Sequence, residues 1–251
     1  AVGESTADPI KYYDVNVGSS ISLLTAMTKA ECSNIVFSSS ATVYGKPHYL
    51  PYDEEHPTNP VNPYGRTKLI IENMVKDWTK VDAKRKGTVL RYFNPVGAHE
   101  SGQIGEEPIG IPNNLMPYIA QVADGRREYL NIFGNDYETA DGTGARDYIH
   151  VVDLALAHTS ALNQNKLNNF EILNIGGGKG TTVFELLRIF EEISGMSIKF
   201  KYSPRRVGDL AAFWADSSKA FEKMNWQPER NIRQICEDTW RWHQQNTIGY
   251  G

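Results

Sequence analysis

The sequence predicts an α/β fold built on a parallel, doubly wound sheet. Stretches with apolar residues at helical spacing alternate with short, almost wholly apolar runs that read as buried strands, and the alternation recurs along the chain. The segments between them are long, rich in Gly, Pro and Asn at 95–114 and polar at 134–146, and loops of that length on a compact scaffold carry function. With 251 residues, 40% hydrophobic and 22% charged, the chain suits one large domain or two small ones.

Asp8-Pro9 is a cap-then-proline helix start, and Val17, Ile21, Leu24 and Met27 then recur at helical spacing, predicting a helix over 9–31. Asn34-Ile35-Val36-Phe37 follows as a buried strand that ends in serines. The second round has a helix over 64–81 with Leu69, Ile70, Met74 and Trp78 on one side, then the strand Thr88-Val89-Leu90-Arg91-Tyr92-Phe93. The third has a helix over 150–162 and the strand Phe170-Glu171-Ile172-Leu173-Asn174-Ile175. Helix and strand in alternation imply parallel pairing.

Several function classes are excluded early. Lys+Arg number 26 against Asp+Glu 30, with no basic run to line up against phosphates, so a nucleic-acid partner is not expected. The longest apolar runs fall far short of the roughly 20 residues that cross a bilayer, so no membrane association is expected either. The two cysteines, Cys32 and Cys236, form no CxxC, and none of the six histidines falls in a metal-ligand spacing. No metal is expected, the histidines read as structural or surface residues, and a reducing cytosol fits the cysteine usage.

A dinucleotide-binding fold opens with a strand and a G-x-G-x-x-G turn, and nothing of that kind precedes Ala1, so the chain is expected to open mid-fold. Gly176-Gly177-Gly178-Lys179-Gly180 lacks the spacing of either phosphate-loop fingerprint. A tight strand-to-helix turn is the favoured reading there, with a phosphate cradle as the alternative.

The chemistry sits at Tyr64-Gly65-Arg66-Thr67-Lys68, where a spacing of four puts Tyr64 and Lys68 on one helix face. A tyrosine with a pKa near ~10 is ionised about once in a thousand at pH 7, a penalty of roughly 4 kcal/mol. A unit positive charge ~5 Å away is worth about 3 kcal/mol at an effective dielectric of 20, so the lysine together with a second positive charge would make the phenol a usable base. Y-x-x-x-K alone also arises by chance on solvated helices. Its position raises it: Ser38-Ser39-Ser40-Ala41-Thr42-Val43-Tyr44-Gly45 lies at the carboxyl end of the preceding strand, where open parallel sheets bind ligands. For the serines by themselves a polar strand exit remains open.

This arrangement resembles the extended short-chain dehydrogenase/reductases, and within them the UDP-glucose (UDP-galactose) 4-epimerase family. The resemblance rests further on Ala1-Val2-Gly3-Glu4-Ser5, on Leu90-Arg91-Tyr92-Phe93-Asn94-Pro95-Val96-Gly97-Ala98-His99, on Gly110-Ile111-Pro112-Asn113-Asn114-Leu115-Met116-Pro117-Tyr118 and on Asp141-Gly142-Thr143-Gly144-Ala145-Arg146-Asp147-Tyr148-Ile149-His150. It covers the whole chain through Gly249-Tyr250, where the family typically ends.

The resemblance implies a Rossmann-type sheet, N-terminally incomplete, with a smaller α/β substrate-binding domain. Residues 1–95 and 148–176 would form the NAD-binding part, and 96–147 with 177–251 the UDP-sugar part. Tyr64 would take the proton from the sugar 4-hydroxyl while NAD takes the hydride, Lys68 would hold the nicotinamide ribose, and Ser40 would bond the reacting oxygen. Asn16, Ser38, Tyr92 and Phe93 would join them on the NAD side. Thr42, Asn94, Asn114 and Leu115 would meet the UDP-sugar, Asn131 and Phe133 the uracil, and Arg146, Arg206 and Asp209 the pyrophosphate and ribose. The arginines also read as surface ion pairs and the two aromatics as sheet core. Phe213 stands where bulk is associated with excluding N-acetylated sugars. The substrates implied are UDP-glucose and UDP-galactose, and the assembly a homodimer through the helices at 9–31 and 64–81. With the dinucleotide turn missing, the chain in isolation is expected to be poorly stable and unable to hold NAD tightly, whereas as a portion of a longer polypeptide it keeps the epimerase reading unmodified. Two rivals stand beside this: another enzyme on the same scaffold, such as a 4,6-dehydratase, which needs an acidic residue that Ser40-Ala41-Thr42 lacks, and a non-catalytic binding or scaffold protein.

Overall fold

The computed structural model describes residues 2–112, 114–163, 167–206 and 209–246. Asn113 and the terminal Gly249-Tyr250, parts of motifs quoted above, lie outside them. In chain order the elements begin with α1 (Val2–Ala7), α2 (Pro9–Tyr12), a π-helical stretch at Tyr13–Gly18 and α3 (Ser19–Lys29). Asp8 caps α2 by accepting from Lys11 N, and Pro9 occupies the first turn, where its missing N–H is harmless. The expected helix is thus present but loosened midway. Leu24 and Met27 are buried with Trp78, whereas Ile21 stays exposed.

Next come β1 (Asn34–Ser40), a 3₁₀ turn at Ala41–Val43, α4 (Pro63–Lys80), β2 (Lys86–Tyr92) and β3 (Asn94–Val96). Asn62 caps α4, accepting from Gly65 N at 2.8 Å. Beyond its first turns the buried residues are Ile71, Glu72, Val75, Trp78 and Thr79; of the expected line, Trp78 is buried and Met74 packs beside it, whereas Ile70 is exposed. Glu72 on that face is buried against Arg91. The chain continues with α5 (Leu115–Ala123), β4 (Leu130–Phe133), β5 (Ala145–His150), α6 (Val151–Asn163) and β6 (Phe170–Ile175). It closes with β7 (Gly180–Thr182), α7 (Val183–Ser194), β8 (Phe200–Ser203), β9 (Ala212–Phe213), α8 (Ser218–Met224) and α9 (Ile232–Gln245). No helix among the described residues is long and apolar enough to cross a membrane.

Packing divides the chain into two compact units, one of Ala1–Phe93, Leu156–Ile175 and Ala215–Gln227, the other of Asn94–Ala155, Gly176–Trp214 and Pro228–Gly251. In the first, β1, β2 and β6 form a parallel sheet in that order, the pairing that the helix–strand alternation predicts. β2 is buried along most of its length, but β1 is half-exposed, as suits its place at one end of that order. The second unit holds β3-β5-β7 with β9 beside β5, and a separate parallel pair β4-β8. Its core gathers Met116 and Ile119 from α5, Leu130 and Ile132 from β4, Leu186 and Phe190 from α7 and Ile235 from α9. Residues 148–155 pack in the second unit, where Asp153 receives Arg230, and α8 packs in the first, where Lys219 reaches Glu171 at 2.8 Å.

Candidate active site

The carboxyl ends of β1 and β2 and the first turns of α4 bring together most of the residues expected on the NAD side. Tyr64 and Lys68 lie one helical turn apart, with the Lys68 ammonium 5.6 Å from the Tyr64 ring centre and 5.1 Å from that of Phe37. Lys68 Nζ donates to the Ser38 carbonyl at 2.9 Å. Ser40 ends β1 and caps the 3₁₀ turn, its Oγ accepting from Thr42 N at 3.3 Å and from Thr42 Oγ1 at 3.0 Å. The Ser40 hydroxyl lies near enough to the Tyr64 phenol to favour its charged form.

Burial raises the Tyr64 pKa above its ordinary value and the Ser40 hydroxyl only partly opposes it, while burial lowers that of Lys68. Desolvation disfavours both charged forms, so the lysine does not by itself make the phenol a base in this geometry.

Around this pair, Asn16 Nδ2 donates to Thr67 Oγ1 at 2.9 Å, holding the π-helical stretch to α4. Tyr92 donates to Ser38 Oγ at 2.6 Å and also meets His158 Nε2, which lies 3.4 Å from Ser38 Oγ. Phe93 is buried beside Tyr52, ring centres 6.3 Å apart.

In the second unit the charges gather around Asp209. Arg206 Nε donates to it at 2.9 Å and Arg146 approaches within 3.7 Å. Each guanidinium also covers an aromatic ring, Arg206 over Phe133 at 4.7 Å and Arg146 over Phe213 at 5.0 Å. Burial pulls the Arg146 pKa down, with Asp209 opposing. Cationic forks beside aromatic faces are what a diphosphate and a base require. Asn131 shares β4 with Phe133 and accepts from Ser203 Oγ at 3.3 Å, and Asn94 donates to the Asp147 carbonyl at 2.7 Å. The recorded contacts of two expected residues lie elsewhere: Asn114 reaches Glu106 at 3.5 Å, and Leu115 packs on the hydrophobic core.

The glycine turn proves to be a structural feature. Gly177 N and Gly178 N donate to the buried Asp147 carboxylate at 2.6 and 3.1 Å. A protein carboxylate therefore fills the site that a phosphate would need.

Comparison with known proteins fixes the family. A family model described as GDP-mannose 4,6 dehydratase matches residues 1–239. The human UDP-glucose 4-epimerase is 53% identical over 253 residues, covering 100% of this chain and 73% of that protein. This chain belongs to the UDP-glucose 4-epimerase family. The crystal structure of UDP-glucose 4-epimerase from Bifidobacterium longum, in complex with NAD+ and UDP, superposes with a TM-score of 0.95 at 46% identity, covering 100% of this chain and 75% of that one. The epimerase from Stenotrophomonas maltophila, with bound NAD and formylated UDP-arabinopyranose, gives a TM-score of 0.94 at 46% identity, covering 98% and 73%.

The residues present suit the nicotinamide-ribose end of such a cofactor. The Lys68 ammonium carries three N–H groups and, among the described residues, donates to the Ser38 carbonyl, which leaves donors for ribose hydroxyls. His158 escaped the sequence reading. It sits on α6 among unremarkable neighbours, and only the fold brings it to Tyr92 and Ser38, 66 and 120 residues away in sequence.

Proposed function

We propose that this protein interconverts UDP-glucose and UDP-galactose by inverting carbon 4 of the sugar through a 4-keto intermediate, with NAD as a recycled cofactor, within galactose metabolism. The observation that carries the proposal is the Tyr64–Lys68 pair one helical turn apart, with Ser40 at the phenol, on a chain 50–53% identical to curated epimerases. Tyr64 accepts the proton of the sugar 4-hydroxyl and later returns it to the same oxygen, acting as base and then acid. Ser40 donates to that oxygen and holds it within reach of Tyr64. Lys68 grips the ribose hydroxyls, with Asn16, Ser38, Tyr92 and Phe93 lining the same side. When bound, NAD supplies the hydride acceptor and donor at carbon 4 and a positive ring charge that offsets the burial penalty on the phenolate. Thr42 meets the substrate beside Ser40; Asn94, Asn114 and Leu115 meet the UDP, Asn131 and Phe133 the uracil, and Arg146, Arg206 and Asp209 the diphosphate and ribose. The division of labour follows, with 1–95 and 148–176 serving the cofactor and 96–147 and 177–251 the nucleotide sugar.

The test is conversion of UDP-galactose by the purified protein with added NAD. Tyr64→Phe is expected to lower the rate by about 10²–10⁴-fold, the usual worth of a general base. Equal rates in the two proteins would overturn the reading.

Three finer readings accompany it. Phe213, half-buried under Arg146, restricts the sugar pocket against N-acetylated substrates, so Phe213→Cys should raise the rate on UDP-N-acetylglucosamine relative to UDP-glucose. Ile10, Val15, Ile21, Leu23 and Ile70 are exposed on the helices at 9–29 and 63–80, which supports a homodimer through these helices, and we place the protein in the cytosol. Sedimentation of a monomer alone at micromolar concentration would refute the dimer.

A further inference from the structure

One row of the first unit's sheet is polar, buried and directly beneath the chemistry. The strand register pairs Ser39 with Arg91 and Arg91 with Asn174, and all three are buried. Ser39 Oγ donates to Glu72 Oε1 at 2.5 Å, and Arg91 donates to Oε1 through Nε at 3.1 Å and to Oε2 through Nη2 at 2.7 Å. Arg91 lies 4.7 Å over the Tyr44 ring, and the Tyr44 hydroxyl donates to Asn174 Oδ1 at 2.7 Å. Side chains from β1, β2, β6 and α4 thus lock into one network.

Its place in the sequence gives it meaning. Ser39 precedes Ser40, Arg91 precedes Tyr92, and Glu72 follows Lys68 by one helical turn and Tyr64 by two. We propose that the Glu72–Arg91 ion pair with Ser39 is the positioning device of this active site, setting the height and rotation of α4 on the sheet and so the alignment of Tyr64 with Ser40. The proposal rests on the reading that Tyr64 and Ser40 carry the chemistry.

Packing alone would hold the helix with less definition. Apolar contacts are non-directional and tolerate small slides, whereas a two-pronged carboxylate–guanidinium bond fixes translation and rotation together. Buried ion pairs are often replaceable by apolar residues without loss of stability, so what this one secures is geometry.

The test uses Glu72→Leu/Arg91→Met, with Ser39→Ala as a milder companion. The primary readout is ionisation of the Tyr64 phenol, taken as the near-ultraviolet difference between each protein and its Tyr64→Phe derivative. The groups facing Tyr64 are Ser40, Lys68, Tyr92 and Tyr12, the last edge-on at 6.5 Å and bonded to Glu4, and all are untouched by these variants. Loss of the clamp is expected to move the Tyr64 phenol away from the Ser40 hydroxyl that favours its charged form, and so to raise the Tyr64 midpoint. In the double variant, thermal stability is expected to hold, kcat to fall about tenfold or more and KM to stay within about twofold. A midpoint unmoved in the folded double variant, or in Ser39→Ala should the double variant not fold, overturns the proposal. Absence of epimerisation by the parent protein would instead count against the catalytic reading, and the phenol titration does not depend on it.

Discussion

A phenol that serves as a base must ionise, yet in this protein burial pushes Tyr64 the other way. Without cofactor the Tyr64 phenol is therefore expected to titrate above 10, and NAD to lower its midpoint, since a positive ring favours the phenolate. The linkage has a definite sign: the phenolate form binds NAD more tightly, so affinity should strengthen as pH rises through that range, which calorimetry at two pH values would check. Arg146 and Arg206 share one carboxylate, Asp209, and would trade part of that contact for substrate diphosphate. Arg146→Ala should raise KM for the UDP-sugar by about 10–100-fold, the worth of a charge-assisted hydrogen bond, with a smaller change in kcat. Asp147 holds two glycine amides from a buried position. Asp147→Asn leaves one amide without its acceptor and should lower stability by about 2 kcal/mol in denaturant unfolding.

Between elements, the decisive spacing is that of α4 from the loop after β1. A Cβ added at Gly65 would come within 2.8 Å of the Thr42 carbonyl oxygen and 3.0 Å of the Pro60 side chain, so only glycine lets the helix start this close. Gly65→Ala must push the first turn outward and carry Tyr64 with it. The expected result is a folded protein with kcat reduced about 10-fold or more, because misplacement of around 1 Å can cost 10²-fold. The Tyr–Lys spacing and the Asn62-Pro63 start of this helix are readable in the sequence because both are local. The buried arc through Glu72 is not, because a pattern of apolar residues cannot reveal a carboxylate that finds its cation on a strand.

Across the whole molecule, buried tyrosines make both units sensitive to alkali. In the first unit burial pushes Tyr44, fully enclosed, up to about 12, and in the second it does the same for Tyr148. A group whose folded pKa is raised supports the fold fully below its unfolded value near 10 and loses that support as pH climbs through the folded one. Stability should therefore fall between about pH 10 and pH 12, by about 2–3 kcal/mol for Tyr44 alone, and Tyr44→Phe should flatten the fall in a melting series. The sequence by itself determined the parallel α/β class, the helix starts, the Ser40–Tyr64–Lys68 constellation and the family, because periodicity, caps and short motifs are local and survive without a fold. Only the tertiary structure decided which way burial shifts Tyr64, that Glu72 meets Arg91, that Asp147 fills the glycine turn, and that His158 reaches Tyr92. Each of those depends on charges and dipoles brought together from distant parts of the chain, whose strength is set by how far packing excludes water.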